Sequence, residues 1–333
     1  MRSRRLRTLF AIILLLLAVP AALVLAEFAL RAADWAPLRN PQLEPFAISL
    51  HEGLHRVSQI PDLYWELARI RRDKFQGVMV TTNRRGFRAR DYGPRTDAVR
   101  IVVLGDSITF GAAVEQDQAY PQVLERLLNR RRKAEVVNCG VSGYNFIQYA
   151  VNYEHKARRY DPDLVIVGLF EDDFEPPYVP REQSVWLWLE LHSRLYRLLG
   201  ARWRATAPRL FGDQRFYVNE ATAAGMTRLA GFIDEVRGER RSLLFVLHPG
   251  LDDRELPEKN AVMLDAKSLL DQHGAPYIDL WKVYRAHGSL SQFSTNAPFA
   301  NPHPNAVGHA LIAEAIDDFL LAHPELLARR PER

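Results

Sequence analysis

The sequence predicts an α/β protein, a parallel sheet with helices on both faces, behind one N-terminal membrane helix. Three observations point there. Short apolar runs such as Ile101 to Leu104 have the continuous, β-branched hydrophobicity of strands buried on both faces. Longer stretches of helical apolar spacing alternate with them, and that alternation implies parallel pairing. Ahead of both stands a long uncharged segment that fits neither pattern.

That segment, Thr8 to Ala26, has 19 uncharged residues, enough for a helix to cross a hydrocarbon core of roughly 30 Å. Arg2, Arg4, Arg5 and Arg7 precede it and Glu27 follows. Positive charge on the leading side places the N-terminus in the cytoplasm and exports the rest. Val24-Leu25-Ala26 also suits a signal peptidase, but the run is longer than a usual signal-peptide core. The expectation is a single-pass anchor of the cell membrane over residues 1–30, with the working domain periplasmic or extracellular. Residues 31–95, rich in Pro and Arg with weak periodicity, read as a linker and lead-in. "TTNRRGFRARDYG", Thr81 to Gly93, is a turn-rich approach to the first strand.

Residues 96–325 then carry one domain. A chain of 333 residues, 47% hydrophobic and 25% charged, can bury a sizeable core. Its net charge of +4 equals the four arginines before the apolar segment, which leaves no basic footprint for nucleic acid. The arginine-rich "NRRRK" at Asn129 to Lys133 reads as a solvated helix end. Cys139 is the only cysteine, so no internal disulfide or four-cysteine zinc site exists, and its apolar setting reads as core.

Strands are expected at Val99 to Leu104, Glu135 to Asn138, Leu164 to Val167, Ser242 to Leu247 and Tyr277 to Leu280. Helices are expected at Tyr120 to Arg131, Phe146 to Arg159, Glu220 to Val236, Ala261 to His273 and Asn305 to Leu321. The aromatic-rich Ser184 to Trp203 interrupts the alternation and reads as a helix covering the sheet, with a lid or a membrane-surface helix as alternatives.

"IVVLGDSITFG", Ile101 to Gly111, carries the chemistry. Asp106 and Ser107 follow the carboxyl end of a buried strand, where open α/β sheets bind ligands. Ser107 as a plain helix N-cap is the competing reading. Gly111 is followed by alanines, so no phosphate-binding lysine is present, and the glycine spacing is not that of a dinucleotide site. No glycine stands two residues before Ser107, which excludes the α/β-hydrolase elbow. His303, in the Pro-bracketed "NPHPNAVGHALIAEAI", lies before the last helix and can serve Ser107 as general base. "NCGVSGYN", Asn138 to Asn145, offers two glycines whose loop can bring backbone N–H groups to a developing oxyanion. "VGLFEDDF", Val167 to Phe174, sets three acids in a row after the third strand.

With "GDSITFG", "NCGVSGYN", "GLFEDDF" and "NPHPNAVGH" in this order, the sequence resembles the SGNH hydrolases, the GDSL lipase/esterase superfamily, in their membrane-anchored bacterial form. The resemblance implies a three-layer α/β/α fold with a parallel, flavodoxin-like sheet. It implies a serine esterase without cofactor or metal, acting on acyl or acetyl esters of a polysaccharide or lipid. Ser107 would be the nucleophile and His303 the base, with the N–H groups of Ser107 and Gly143 in the oxyanion hole. Two positions depart from the family pattern. Asp172 stands where an asparagine donates to the oxyanion, and an ionised carboxylate cannot donate. Asn301 stands in place of the acid that orients the histidine. Asp172 as partner of His303, or as a protonated donor, are the two ways to accommodate the exchange. An O-acetyltransferase and a catalytically weak glycan-binding descendant are the rival functions. From another class, "HEGLH", His51 to His55, has zinc-peptidase spacing, but Pro41, Pro45 and Gly53 oppose the helix it needs.

Overall fold

The computed structural model describes residues 2–33, 54–175, 193–196, 215–253, 260–295 and 303–329. They fall into two compact units, one of residues 1–47 and 180–214, the other of 48–179 and 215–333.

In the first unit, helix α1 spans Arg2–Ala33. Its stretch Leu14–Ala32 has a mean hydropathy of 2.1 and no buried residues, so α1 is long and apolar enough to cross a membrane. Near its C-terminal end the Glu27 carboxylate forms an ion pair with Arg31 and accepts from Ser193 Oγ and from the backbone N–H groups of Arg194 and Leu195. Most of Ser184 to Trp203 lies outside the described residues, and the turn 193–196 belongs with α1.

The second unit opens with two antiparallel hairpins. β1 (His55–Val57) pairs with β2 (Trp65–Leu67), and β3 (Arg72–Phe75) with β4 (Val78–Thr81). The polar, short-period sequence of the lead-in conceals both. His55 begins a strand and its ring meets Phe75 edge-on, so the HEGLH histidine is not on a helix.

The sheet follows with β5 (Val99–Leu104), the short helix α2 (Ser107–Phe110), α3 (Tyr120–Leu128), β6 (Ala134–Asn138) and α4 (Phe146–His155). Next come β7 (Leu164–Leu169), α5 (Arg215–Gly238), β8 (Ser242–Leu247), α6 (Ala261–Gln272), β9 (Tyr277–Asp279), α7 (Leu280–Ala286) and α8 (Ala306–Ala322). All five strands are parallel, in the order β6-β5-β7-β8-β9. Numbered along the sheet this is 2-1-3-4-5, the flavodoxin-like order. Every residue of β5 and β7 is buried, as expected of central strands whose sequences are continuously apolar. Val99, Ile101 and Val103 share a core with Leu124, Ile312 and Ile316, from α3 and α8. α4 and α5 pair through Phe146, Tyr153 and Phe232, which stack edge to face.

The strands coincide with the apolar runs. Helix ends move more: α3 stops at Leu128, because Asn129 turns the chain by donating to Glu125 and Ala134 carbonyls. α4 stops at His155 and continues as a 3₁₀ turn to Tyr160, after which Asp161 adopts a left-handed φ of 51°. Cys139 is fully buried, and burial pushes its thiol pKa up, which suits an inert core residue.

Candidate active site

The chain leaves β5 at Gly105, where φ is +157° and any Cβ would stand 2.0 Å from Thr109 Oγ1. The next residue, Asp106, is the N-cap of α2: its carboxylate accepts the Ile108 N–H at 2.8 Å. Ser107 is therefore not the cap. Its hydroxyl is free to turn outward, where it meets His303 Nε2 at 2.6 Å and Asp106 Oδ2 at 3.3 Å. Gly111 closes α2 in a left-handed conformation, which accounts for the second glycine of the motif.

His303 is delivered by a main-chain clamp. Thr295 N–H donates to the His303 carbonyl at 2.8 Å and Asn305 N–H to Phe293 at 2.7 Å, around a bridge between Ser294 and Pro304. Asn305 then caps α8 by accepting from Gly308 N–H. A neutral imidazole at this distance can take the proton of the serine hydroxyl. Asn301, expected in place of the orienting acid, lies outside the described residues.

The loop after β6 comes close to α2. A Cβ on Gly140 would be 2.5 Å from the Phe110 backbone nitrogen, so only glycine permits this approach. Val141 N–H donates to the Gly105 carbonyl, and Gly143 follows at φ +79° with the Trp65 ring against it. Trp65 Nε1 donates to the Ser142 carbonyl, while the Tyr144 hydroxyl donates to that of Trp65. Hairpin β1–β2 thus braces the loop that carries Gly143.

The acids of the third loop gather beside Asp106. Ligand atoms of Asp106, Asp172 and Asp173 lie within 4.8 Å of one another. Asp173 is buried, accepts the Phe170 N–H at 2.7 Å, and receives the Tyr149 hydroxyl. Burial, then Asp106 and Asp172, push its pKa well up. Burial also raises Asp106, with His303 opposing. Asp172, whose side chain still reaches solvent, is pushed up to about 7 by partial desolvation first and then by Asp106, Glu175 and Glu171. Three carboxyls this close do not all ionise together, because like charges at this range favour the protonated form. The grouping has the spacing of a cation site, yet Asp106 and Asp173 already spend oxygens on backbone N–H groups. A retained proton is sufficient to reconcile the three.

The family described as GDSL-like Lipase/Acylhydrolase matches residues 103–311, from the middle of β5 into α8. The chain belongs to this family. Structures similar to it include a lipase/acylhydrolase from Enterococcus faecalis, at 17% identity, 71% of this chain and 99% of that one, with a TM-score of 0.45. A two-domain esterase active on acetylated mannans, co-crystallised with mannopentaose, is also 17% identical, covering 71% of this chain and 52% of that one at a TM-score of 0.45. An acetyl xylan esterase is 15% identical, covering 67% and 100% at 0.42. No curated protein matches the chain.

As a GDSL-family enzyme the protein is an esterase, and the loop that carries Ser107 has a support that the motif blocks do not contain. Arg88, from the lead-in, is fully buried over the Phe110 ring and donates to the carbonyls of Phe110, Gly111 and Val114. Burial lowers its pKa to about 10, so it stays charged at neutral pH. Asn138, at the end of β6, adds a bond from its Nδ2 to the Thr109 carbonyl. Arg88→Met keeps the apolar stem, removes the guanidinium and strands three carbonyls, at an expected cost of about 3 kcal/mol. Thermal melting should show a lower Tm together with a fall in esterase rate; an unchanged Tm would remove Arg88 from the support of this loop.

Proposed function

We propose that the protein is an exported serine esterase, held to the cell membrane by α1, that cleaves acyl or acetyl esters of a polysaccharide or lipid through an acyl-serine intermediate. The single observation that carries the reading is the 2.6 Å contact between His303 Nε2 and Ser107 Oγ, made across 196 residues of sequence.

In this reading His303 takes the Ser107 proton as Oγ attacks the ester carbonyl, then returns it to the departing alcohol. Water, activated by the same imidazole, releases the acid. Negative charge on the carbonyl oxygen is met by the N–H groups of Ser107 and Gly143. The third donor is Asp172. With a pKa raised to about 7 it keeps its proton below neutrality, and a neutral carboxyl donates as the family's asparagine does. Asn301 takes the place of the family's acid that orients the histidine, and an amide, unlike a carboxylate, does not stabilise a charged imidazolium.

A serine-directed fluorophosphonate should label wild-type enzyme at Ser107 and leave Ser107→Ala unlabelled. Labelling that persists in the alanine variant would place the nucleophile elsewhere. For the anchor, a reporter that works only after export, fused after Arg333, should be active; activity of a cytoplasm-only reporter at the same point would reverse the orientation.

A further inference from the structure

Between β2 and β3 the chain makes a bend whose main chain is pinned to its neighbours. Thr82 Oγ1 donates to the Ala68 carbonyl at 2.6 Å and accepts the Arg71 N–H at 2.9 Å, while the Ile70 N–H donates to the Asn83 carbonyl at 3.2 Å. At the tip Ile70 has a φ of +52°, a left-handed conformation that disfavours a β-branched residue. Its side chain is 72% exposed, more than any other large apolar side chain among the described residues, those of α1 included. A strained backbone, held by surrounding bonds so that an isoleucine stands in water, marks a contact site.

The charges around Ile70 name the partner. Arg69, Arg71, Arg72 and Lys74 are all exposed, and none of the four side chains forms an ion pair or hydrogen bond among the described residues. By contrast Arg90, Arg100 and Arg131 each hold a carboxylate, of Glu125, Glu135 and Asp317. Arg72 and Lys74 alternate along β3 and so share one face of the hairpin with half-exposed Met79, which pairs with Lys74. Asp73, the one acid in this stretch, falls on the opposite face, and its carboxylate accepts the Lys74 N–H at 2.8 Å. Three guanidinium forks and an ammonium around an exposed aliphatic side chain fit the surface of a bilayer rich in anionic phospholipid. Phosphates take the charges, and the acyl boundary takes the isoleucine. A soluble anion would satisfy the charges and leave Ile70 in water. In the proposed reading α1 tethers the same chain to a bilayer, which raises the effective concentration of that surface.

We propose that the bend at Ile70 and the outer face of hairpin β3–β4 dock on anionic phospholipid, with Ile70 entering the acyl boundary. The proposal rests on anchoring by α1 and not on the esterase chemistry. Full-length protein with Ile70→Cys carries a bimane label in nanodiscs that contain a doxyl-phosphatidylcholine quencher; Cys139, the only native cysteine, is fully buried. Strong quenching is expected at low salt in discs of equal parts phosphatidylglycerol and phosphatidylcholine, and little in phosphatidylcholine alone or at high salt. Adding Arg69→Gln, Arg71→Gln and Arg72→Gln together should lower the ratio of docked to free loop roughly 100-fold, about fivefold per cation. Melting temperatures identify any variant that fails to fold. Leu321→Cys, exposed on α8, should stay unquenched under its own label. No quenching in anionic discs, equal quenching in neutral ones, quenching unchanged by the triple substitution, or equal quenching at position 321 would overturn the proposal. So would a label that responds to soluble dextran sulfate and not to anionic discs, which assigns the patch to an anionic polymer. A chain that does not stay in neutral discs would remove the anchor instead, and the same quenching is then read on vesicles of both compositions.

Discussion

Ser107→Ala is expected to lower kcat for a small ester such as nitrophenyl acetate by roughly 10⁶-fold, the scale seen when a serine nucleophile is deleted from a hydroxyl–imidazole pair. The imidazole lies 2.6 Å from this hydroxyl. His303→Ala should cost a comparable factor, and the double variant no more than either single one, because the two groups act as a unit. Losses that multiply would mean that Ser107 and His303 work in separate steps, and the acyl-serine mechanism would be wrong. Binding of substrate should survive in all three, since neither side chain is needed to fill the cleft.

The second large effect belongs to the two positions that depart from the family pattern. Partial desolvation and then Asp106 push Asp172 up to about 7, so the donor form it has in the proposed mechanism disappears as pH rises. Above that point kcat/KM should fall about tenfold per pH unit, as the protonated fraction does. Asp172→Asn removes the titration and keeps the donor. Its rate at pH 9 should exceed that of the native enzyme by roughly 10²-fold, while at pH 6 the two should agree within a few-fold. Asn301→Asp restores the acid of the family pattern and should add a further gain, bounded by the roughly 10⁴-fold that such an acid is worth in a serine triad. A pH–rate profile of the four proteins separates this from the alternative, in which Asp172 itself orients His303. In that case Asp172→Asn is slower at every pH and Asn301→Asp rescues it.

The sheet was legible because its strands are buried on both faces and so read as unbroken apolar runs; Val99–Leu104 and Ser242–Leu247 fall where the sequence puts them. Helix ends were less so, since a side-chain bond such as that of Asn129 to the Glu125 carbonyl decides them and leaves no periodic trace. The hairpins of the lead-in were hidden for another reason. Arg72–Phe75 is largely exposed and spends its alternation on charged residues. Ser107 and His303 were visible as motif residues, but that Asp106 rather than Ser107 caps α2 required coordinates, because either side chain can fill that role. Arg88 was not visible at all. It is one of four arginines between Arg84 and Arg90, and only the fold buries this one and leaves Arg84 and Arg90 outside.

The order of the parts along the chain bears on when the enzyme becomes active. The serine sits in the first strand unit of the sheet, whereas the imidazole arrives 196 residues later, clamped between residues 293–295 and the final long helix. A chain threaded through a membrane from its N-terminal side emerges in the same sequence. On the proposed mechanism and topology, a protein whose last helix has not docked has Ser107 in place with no base to activate it. Stalled or C-terminally clipped chains would therefore be hydrolytically silent, and a pulse of newly made protein should gain fluorophosphonate reactivity only after synthesis and transfer are complete.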